Sequence, residues 1–90
     1  MAHLFDPLKL RDVVLHNRIG IPSMCQYSAQ DGIANDWHHV HYCSRAVGGA
    51  ALINLEATAV APAGRISARD LGLWNDEQIE PLARMTRFAR

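Results

Sequence analysis

Neither sign of charge dominates this sequence of 90 residues: nine Lys plus Arg balance nine Asp plus Glu, leaving a formal net charge of +0. That balance removes the general electrostatic reason to bind nucleic acid or an anionic lipid surface, because both require a basic face. No apolar run approaches the ~20 residues of a membrane-spanning helix. The opening Met1-Ala2-His3-Leu4-Phe5-Asp6-Pro7 lacks the charged-then-apolar order of an export signal, so a cytoplasmic protein is the expectation. Cysteine is scarce too. Cys25 and Cys43 are too few for a disulfide framework, and in a reducing compartment both remain thiols. What is present, 49% hydrophobic and 20% charged residues, is the composition of a packed globular chain rather than a disordered one.

Apolar residues on either side of Arg11-Asp12 predict a small β-hairpin from Leu8-Lys9-Leu10 and Val13-Val14-Leu15, although Arg-Asp is a poor turn pair. Ile19-Gly20-Ile21-Pro22 reads as a short buried strand that Pro22 ends, since proline cannot donate to a ladder. Residues 26–35 read as a polar loop with an Asp31-Gly32 turn. A helix is predicted to start at Asn35 or Asp36, either of which can cap the N–H groups of the first turn. Val40, Cys43 and Val47, with Ala46 beside them, form its apolar stripe. Gly48-Gly49 stops it, because glycine accepts the left-handed conformation of a C-cap. Residues 50–55 are apolar on both faces except at Asn54, as a parallel strand covered on both sides requires. Strand, helix and second strand make a βαβ unit.

A Pro/Gly loop follows Glu56 through Pro62, Gly64 and Trp74. Asn75 and Gln78 have capping-box spacing, and Pro81 leaves two arrangements open. Either a separate turn over residues 76–79 precedes a helix that starts near Glu80, or one helix carries a kink. Leu82, Met85 and Ala89 supply the apolar stripe. Two parallel strands leave both sheet edges open and give the helices little to cover. Ordering the chain costs on the order of 100 kcal/mol of conformational entropy, and so small a parallel core has little apolar area with which to offset it. The expectation is therefore the N-terminal piece of something larger.

In βα architectures, ligands bind where the loops leave the C-terminal ends of the strands. Ile21-Pro22-Ser23-Met24-Cys25-Gln26-Tyr27 is such a place. Cys25 and Tyr27, two residues apart, can both face a bound ring system; equally, Cys25 can fill a gap as a small apolar residue while Tyr27 covers the strand ends. The wider context bears on that choice. Leu4-Phe5-Asp6-Pro7-Leu8, Asn17-Arg18-Ile19, Pro22-Ser23-Met24-Cys25-Gln26-Tyr27 and His38-His39-Val40-His41-Tyr42 come in order. Glu56-Ala57-Thr58-Ala59-Val60, Gly64-Arg65-Ile66 and Leu71-Gly72-Leu73-Trp74-Asn75-Asp76-Glu77 continue the series. Together they closely resemble the start of the Old Yellow Enzyme family of FMN-dependent ene-reductases. The resemblance is best to the class containing the xenobiotic reductases, which carries Cys where the yeast-type enzymes carry Thr.

The resemblance implies an α/β fold: the first two βα units of a TIM (β/α)8 barrel preceded by an N-terminal β-hairpin. Residues 1–90 would be the N-terminal part of a single flavin-binding domain, in a fold that typically needs roughly 250 residues. Strand one would cover residues 19–22 and strand two residues 51–55. In the family, FMN lies across the C-terminal mouth, takes hydride from NAD(P)H and passes it from flavin N5 to an activated alkene. Carried over by position, Pro22, Ser23, Met24 and Cys25 would line the ring, with Ala57 alongside. Cys25 would approach the N5/O4 edge, and Tyr27 would reach toward the substrate's carbonyl. Family members often have a second proline where this chain has Ser23, which puts ring rigidity there in doubt. The resemblance also implies a homo-oligomeric parent, and a 90-residue piece that neither binds FMN usefully nor turns over. Two further readings stay open: a truncated piece with an association role, or the start of a larger flavin and iron–sulfur barrel oxidoreductase.

Other candidates are weaker. Spacings of three and five from His38 to His41 and Cys43 suit neither a zinc pair nor a Cys/His framework, so no metal is expected. His41 and Arg45 are placed to share a hydrogen-bonding role. Glu56, at the end of strand two, is expected to orient the next loop or pair with an Arg rather than act as a general base. Arg65 is expected in a salt bridge, and Glu80 with Arg84 in an i,i+4 surface pair.

Overall fold

The computed structural model describes residues 2–90. Strands β1 (Leu8–Leu10) and β2 (Val13–Leu15) form the antiparallel hairpin, with Leu8 opposite Leu15 and Leu10 opposite Val13. The poor turn pair leaves its mark as a φ of 53° at Arg11, a left-handed conformation that costs a residue with a Cβ ~1–2 kcal/mol. Strand β3 (Gly20–Ile21), helix α1 (Asp36–Val47) and strand β4 (Leu52–Ile53) make the βαβ unit, with Ile21 beside Ile53 in a parallel pair. Both strands are shorter than expected. Backbone bonding nonetheless runs past them, from Ala51 N–H to the Ile19 carbonyl at 3.1 Å and from Asn54 N–H to that of Ile21 at 3.0 Å.

Asn35 caps α1. Its side chain accepts from Trp37 N–H while the His38 ring accepts from Asn35 N–H, a reciprocal capping box. At the other end Gly48 stays right-handed, and Gly49, at φ 101°, takes the left-handed conformation. Of the expected stripe only Cys43 is buried and Ala46 half-buried; the two valines are not on the buried face. Val40 and Val47 are 64% and 74% exposed, whereas His38, His41, Tyr42 and Cys43 are buried. The reason is polar: Glu56 is buried against this side of α1, and a buried carboxylate requires hydrogen-bonding neighbours in place of aliphatic ones. Nor is β4 covered on both faces. Ile53 packs on the core of Ala29, Ala34, Tyr42, Leu71 and Met85, while Leu52 is exposed.

The stretch read as loop after Glu56 contains a second small parallel sheet. Strand β5 (Thr58–Ala59) pairs with β6 (Leu71–Gly72), and a single 3-10 turn, Pro62–Gly64, lies between them. Two-residue strands are too short to show any hydrophobic period. Asp70 ties this connection together by accepting from Ile66 N–H at 2.7 Å, Ser67 N–H at 3.1 Å and Ser67 Oγ at 2.9 Å. Burial would raise its pKa, but those bonds outweigh burial and hold the carboxyl below the usual range. Among the described residues Arg65 makes no salt bridge; it lies over the Trp74 ring, 5.4 Å from the centroid, and donates to the Pro62 and Ala68 carbonyls. Such stacking suits a planar cation.

Of the two arrangements around Pro81, the separate turn is the one formed: a 3-10 turn, Asp76–Gln78, closed by the Asn75/Gln78 capping box, then helix α2 (Ile79–Ala89) with Pro81 in its first turn. Met85 is buried and Leu82 half-buried, but Ala89 is exposed. Glu80 bonds Arg87 at 2.7 Å rather than Arg84, which reaches across to Asp36 of α1 at 3.7 Å. The α1–α2 packing turns Arg84 toward the negative first turn of its neighbour.

Gln78 joins distant segments. Its side chain accepts from Trp74 N–H at 2.6 Å and donates to the Asp31 carbonyl at 3.0 Å. Next to Asp31, Gly32 has a φ of 72°, and a Cβ there would lie 2.6 Å from the Trp74 ring. Gly32→Ala is therefore expected to destabilise the chain by roughly 2–4 kcal/mol, combining left-handed strain with overpacking. Urea unfolding of the two proteins measures this, and equal midpoints would contradict it.

Candidate functional site

The loop after β3 and the segment after β4 leave the same end of the parallel pair. They are stitched together. Ser23 Oγ donates to the Leu55 carbonyl at 2.7 Å, and Asn54 Nδ2 donates to that of Ile21 at 3.2 Å. This gives a shelf on which Pro22, Ser23, Met24 and Ala57 are exposed, with Cys25 half-buried at its inner edge. Among the described residues, no hydrogen bond engages the backbone N–H of Ser23 or Met24. An open apolar surface edged by free N–H donors suits a flat heterocycle with polar edges.

Tyr27 is held in an uncommon conformation, φ 53°, with its side chain 53% exposed. The strain, ~1–2 kcal/mol, persists only if the neighbours impose it. They do. Gln26 N–H donates to Glu56 Oε1 at 3.4 Å, Ser28 Oγ donates to the Gln26 carbonyl at 2.9 Å, and Asn35 Nδ2 donates to the Ser28 carbonyl at 2.7 Å.

Beneath the shelf, Glu56 is 3% exposed. Tyr42 Oη donates to its Oε2 at 2.7 Å, and the Glu56 N–H donates back to Tyr42 Oη at 3.0 Å. Burial, and then the bond to Glu56, push the Tyr42 phenol far above its ordinary range. The Glu56 carboxylate thus binds neither the next loop nor an arginine, the two partners expected, but Tyr42 and an amide of the preceding loop, the one after β3. The ring of His38 completes the group. Its Nδ1 lies 3.1 Å from Asn35 N and 3.2 Å from Asn35 Oδ1, and its Nε2 faces Glu56 Oε1 at 3.9 Å with no hydrogen-bond partner among the described residues. Arg45 Nη1 donates to the His41 carbonyl at 3.3 Å, so their link runs through the backbone.

The sequence reading overlooked Tyr42 and gave His38 no partner. A usable signal was there: His38 and Tyr42, four apart, put two polar rings on one helix face where aliphatic residues pack better. Polar rings on a buried face imply a buried polar partner. Among the described residues no group of His, Cys, Asp or Glu is placed to hold a metal ion, and no helix is long and apolar enough to cross a membrane.

A parallel strand–helix–strand unit with its loops at the C-terminal strand ends is the repeat of βα folds, (β/α) barrels among them. Solved structures of that kind superpose on it. Morphinone reductase matches with a TM-score of 0.86 at 28% identity, over 96% of this chain and 22% of that one. Its complex with tetrahydroNAD gives 0.89 at 27%, over 99% and 24%. The old yellow enzyme homologue from Zymomonas mobilis gives 0.84 at 28%, over 98% and 24%. The chain thus has the fold of the N-terminal part of these barrels.

Sequence similarity narrows the class. The profile of the NADH:flavin oxidoreductase / NADH oxidase family matches residues 3–88, and the chain belongs to that family. It is 58% identical over 87 residues to an NADPH dehydrogenase of Listeria monocytogenes serotype 4a (strain HCC23), covering 94% of this chain. Identity is 47% over 89 residues to one from Geobacillus sp. (strain WCH70). The chain spans 26% of the length of each of these relatives.

Burial lowers the pKa of both His38 and His41, against the pull of Glu56, and Arg45 lowers that of His41 further. Unfolded histidines bind protons below about pH 6.5, where the buried rings still resist them. The unfolded state then holds more protons, so stability rises with pH in that window and falls on acidification. The urea midpoint is expected to be lower at pH 5.5 than at pH 7.5. The His38 ring resonances should titrate at lower pH folded than in urea. A midpoint that rises on acidification contradicts both.

Proposed function

We propose that this chain forms one wall of the flavin bed in an FMN-dependent NAD(P)H oxidoreductase that reduces activated alkenes. The observation that carries the reading is the shelf itself: Pro22, Ser23 and Met24 exposed beside Ala57, stitched by the Ser23–Leu55 bond, in a member of a flavin oxidoreductase family. The β3–α1–β4 unit followed by α2 supports assignment as the first two βα units of the barrel, with β5 and β6 inserted before α2. FMN, when bound, supplies hydride transfer, and the protein supplies position and electrostatics.

On this reading Pro22, Met24 and Ala57 give the ring an apolar floor. The free N–H groups of Ser23 and Met24 meet its polar edge. Cys25 lies at the inner rim, where its thiol acts on the flavin's electronics and does not attack it. A hydrogen bond ~1 kcal/mol stronger in one redox state moves a two-electron potential by roughly 20 mV. Tyr27, held outward, presents its hydroxyl to a carbonyl of the substrate.

The test joins residues 1–90 to the remainder of the Listeria relative. The expected product is a yellow protein that oxidises NADPH in the presence of a cyclic enone. A colourless, folded product overturns the reading. In that barrel Cys25→Ala is expected to keep FMN and shift its midpoint potential by roughly 20 mV; an unchanged potential removes the tuning role. The 90 residues alone offer a ring only one wall, so excess FMN is expected to leave their visible spectrum without stoichiometric bound flavin.

A further inference from the structure

We propose that Glu56, aimed by Tyr42, is the positioning residue that holds Cys25 at the inner rim of the shelf and Tyr27 outward; the inference rests on the flavin reading only for what the two side chains then face. The loop that carries them is fastened to the β4 side at two points that bracket Met24 and Cys25. One is Ser23 Oγ on the Leu55 carbonyl, and the other is Gln26 N–H on Glu56 Oε1. Leu55 and Glu56 are consecutive, so the spacing of the two anchors is fixed by one peptide unit.

The first anchor lies on an exposed hydroxyl. The second is buried, and its carboxylate is not free to turn. Tyr42 Oη both donates to Glu56 Oε2 and accepts from the Glu56 N–H, which locks side chain and backbone of one residue to a single hydroxyl. His38 closes the remaining side, its Nε2 facing Oε1 from 3.9 Å, beyond hydrogen-bond distance. Oε1 therefore has one hydrogen-bond partner, the Gln26 N–H at 3.4 Å, and one more distant neighbour. That N–H belongs to the Cys25–Gln26 peptide, one residue before the left-handed Tyr27.

A carboxylate placed merely to satisfy Tyr42 would have no reason to reach the amide between two exposed-loop side chains. Conversely, a loop with φ 53° at a non-glycine residue needs the peptides before it held: Ser28 Oγ holds the Gln26–Tyr27 peptide by its carbonyl, and Glu56 holds the Cys25–Gln26 peptide by its N–H. Both observations assign Glu56 to the loop. It touches neither substrate nor flavin, and it acts through Gln26.

Cys25 is its own reporter. In the chain carrying Cys43→Ser, so that one thiol remains, the rate of Cys25 with a chromogenic disulfide reads the loop without any flavin. Glu56→Gln and Tyr42→Phe are each expected to raise that rate threefold or more, with hydrogen exchange of the α1 amides unchanged. The double variant is expected to be no faster than the quicker single one, because the two residues act in series. Rates within twofold of the parent in both variants, with α1 protected, overturn the proposal. So does a rate increase that appears only together with loss of α1 protection. In the barrel completed with the Listeria segment, Glu56→Gln is expected to shift the midpoint potential of bound FMN, and the shift is expected to vanish on a Cys25→Ala background. A shift that persists there also overturns it. A barrel that never binds FMN refutes the flavin reading and leaves the thiol result standing.

Discussion

One buried contact organises the rest: the Tyr42 hydroxyl on the Glu56 carboxylate, 2.7 Å long and closed to water. A carboxylate taken out of solvent is costly unless its oxygens find donors. Satisfying it dictates which face of α1 turns inward, and so why His38 and Tyr42 lie inside while two valines remain outside. It also sets the distance between helix and strand end, because the same hydroxyl accepts from the Glu56 backbone. Hydrogen bonds to charged groups contribute ~1.5–3 kcal/mol each, more than the burial of one further half-covered valine would add. The polar pair wins that competition.

The arrangement divides labour between two levels. Below, α1, Glu56 and the core around Leu71 and Met85 are closed and hold fixed positions. Above, the shelf from Pro22 to Met24 and Ala57 lies open, and its backbone donors are uncommitted. Function in βα folds commonly lies on such loops, while the elements beneath supply rigidity. Gln78 extends the same principle to the far side, where one amide side chain joins the Asp31 turn to the Trp74 backbone and fixes the entrance to α2.

How much of this was legible in the sequence depends on the length scale of each signal. The hairpin, the Asn35 cap, the βαβ order and the Asn75/Gln78 box were readable, because turn and cap chemistry act within four residues. Strands β5 and β6 were not, since a two-residue ladder has no period and is created by its partner across the loop. The face of α1 was misread for a related reason. Hydrophobic spacing pointed to Val40 and Val47, but the deciding group, Glu56, comes from another element and lies beyond the helix's own pattern. Likewise Arg65 and Arg84 found their partners, Trp74 and Asp36, through packing that local spacing does not encode. Pro22, Ser23 and Met24 follow β3 and Ala57 follows β4, an order plain in the sequence; what the sequence did not contain was the scaffolding under them.

Ser23 carries a last consequence. A proline at that point would freeze one torsion for good and offer no proton to Leu55. The serine hydroxyl instead makes a clasp between two neighbouring loops, 2.7 Å long and open to water. Exposed side-chain rotors turn within picoseconds to nanoseconds, so this clasp can release and refasten far faster than anything beneath it moves. The join between the two loops is in that sense sprung, while the frame beneath it is closed by buried bonds.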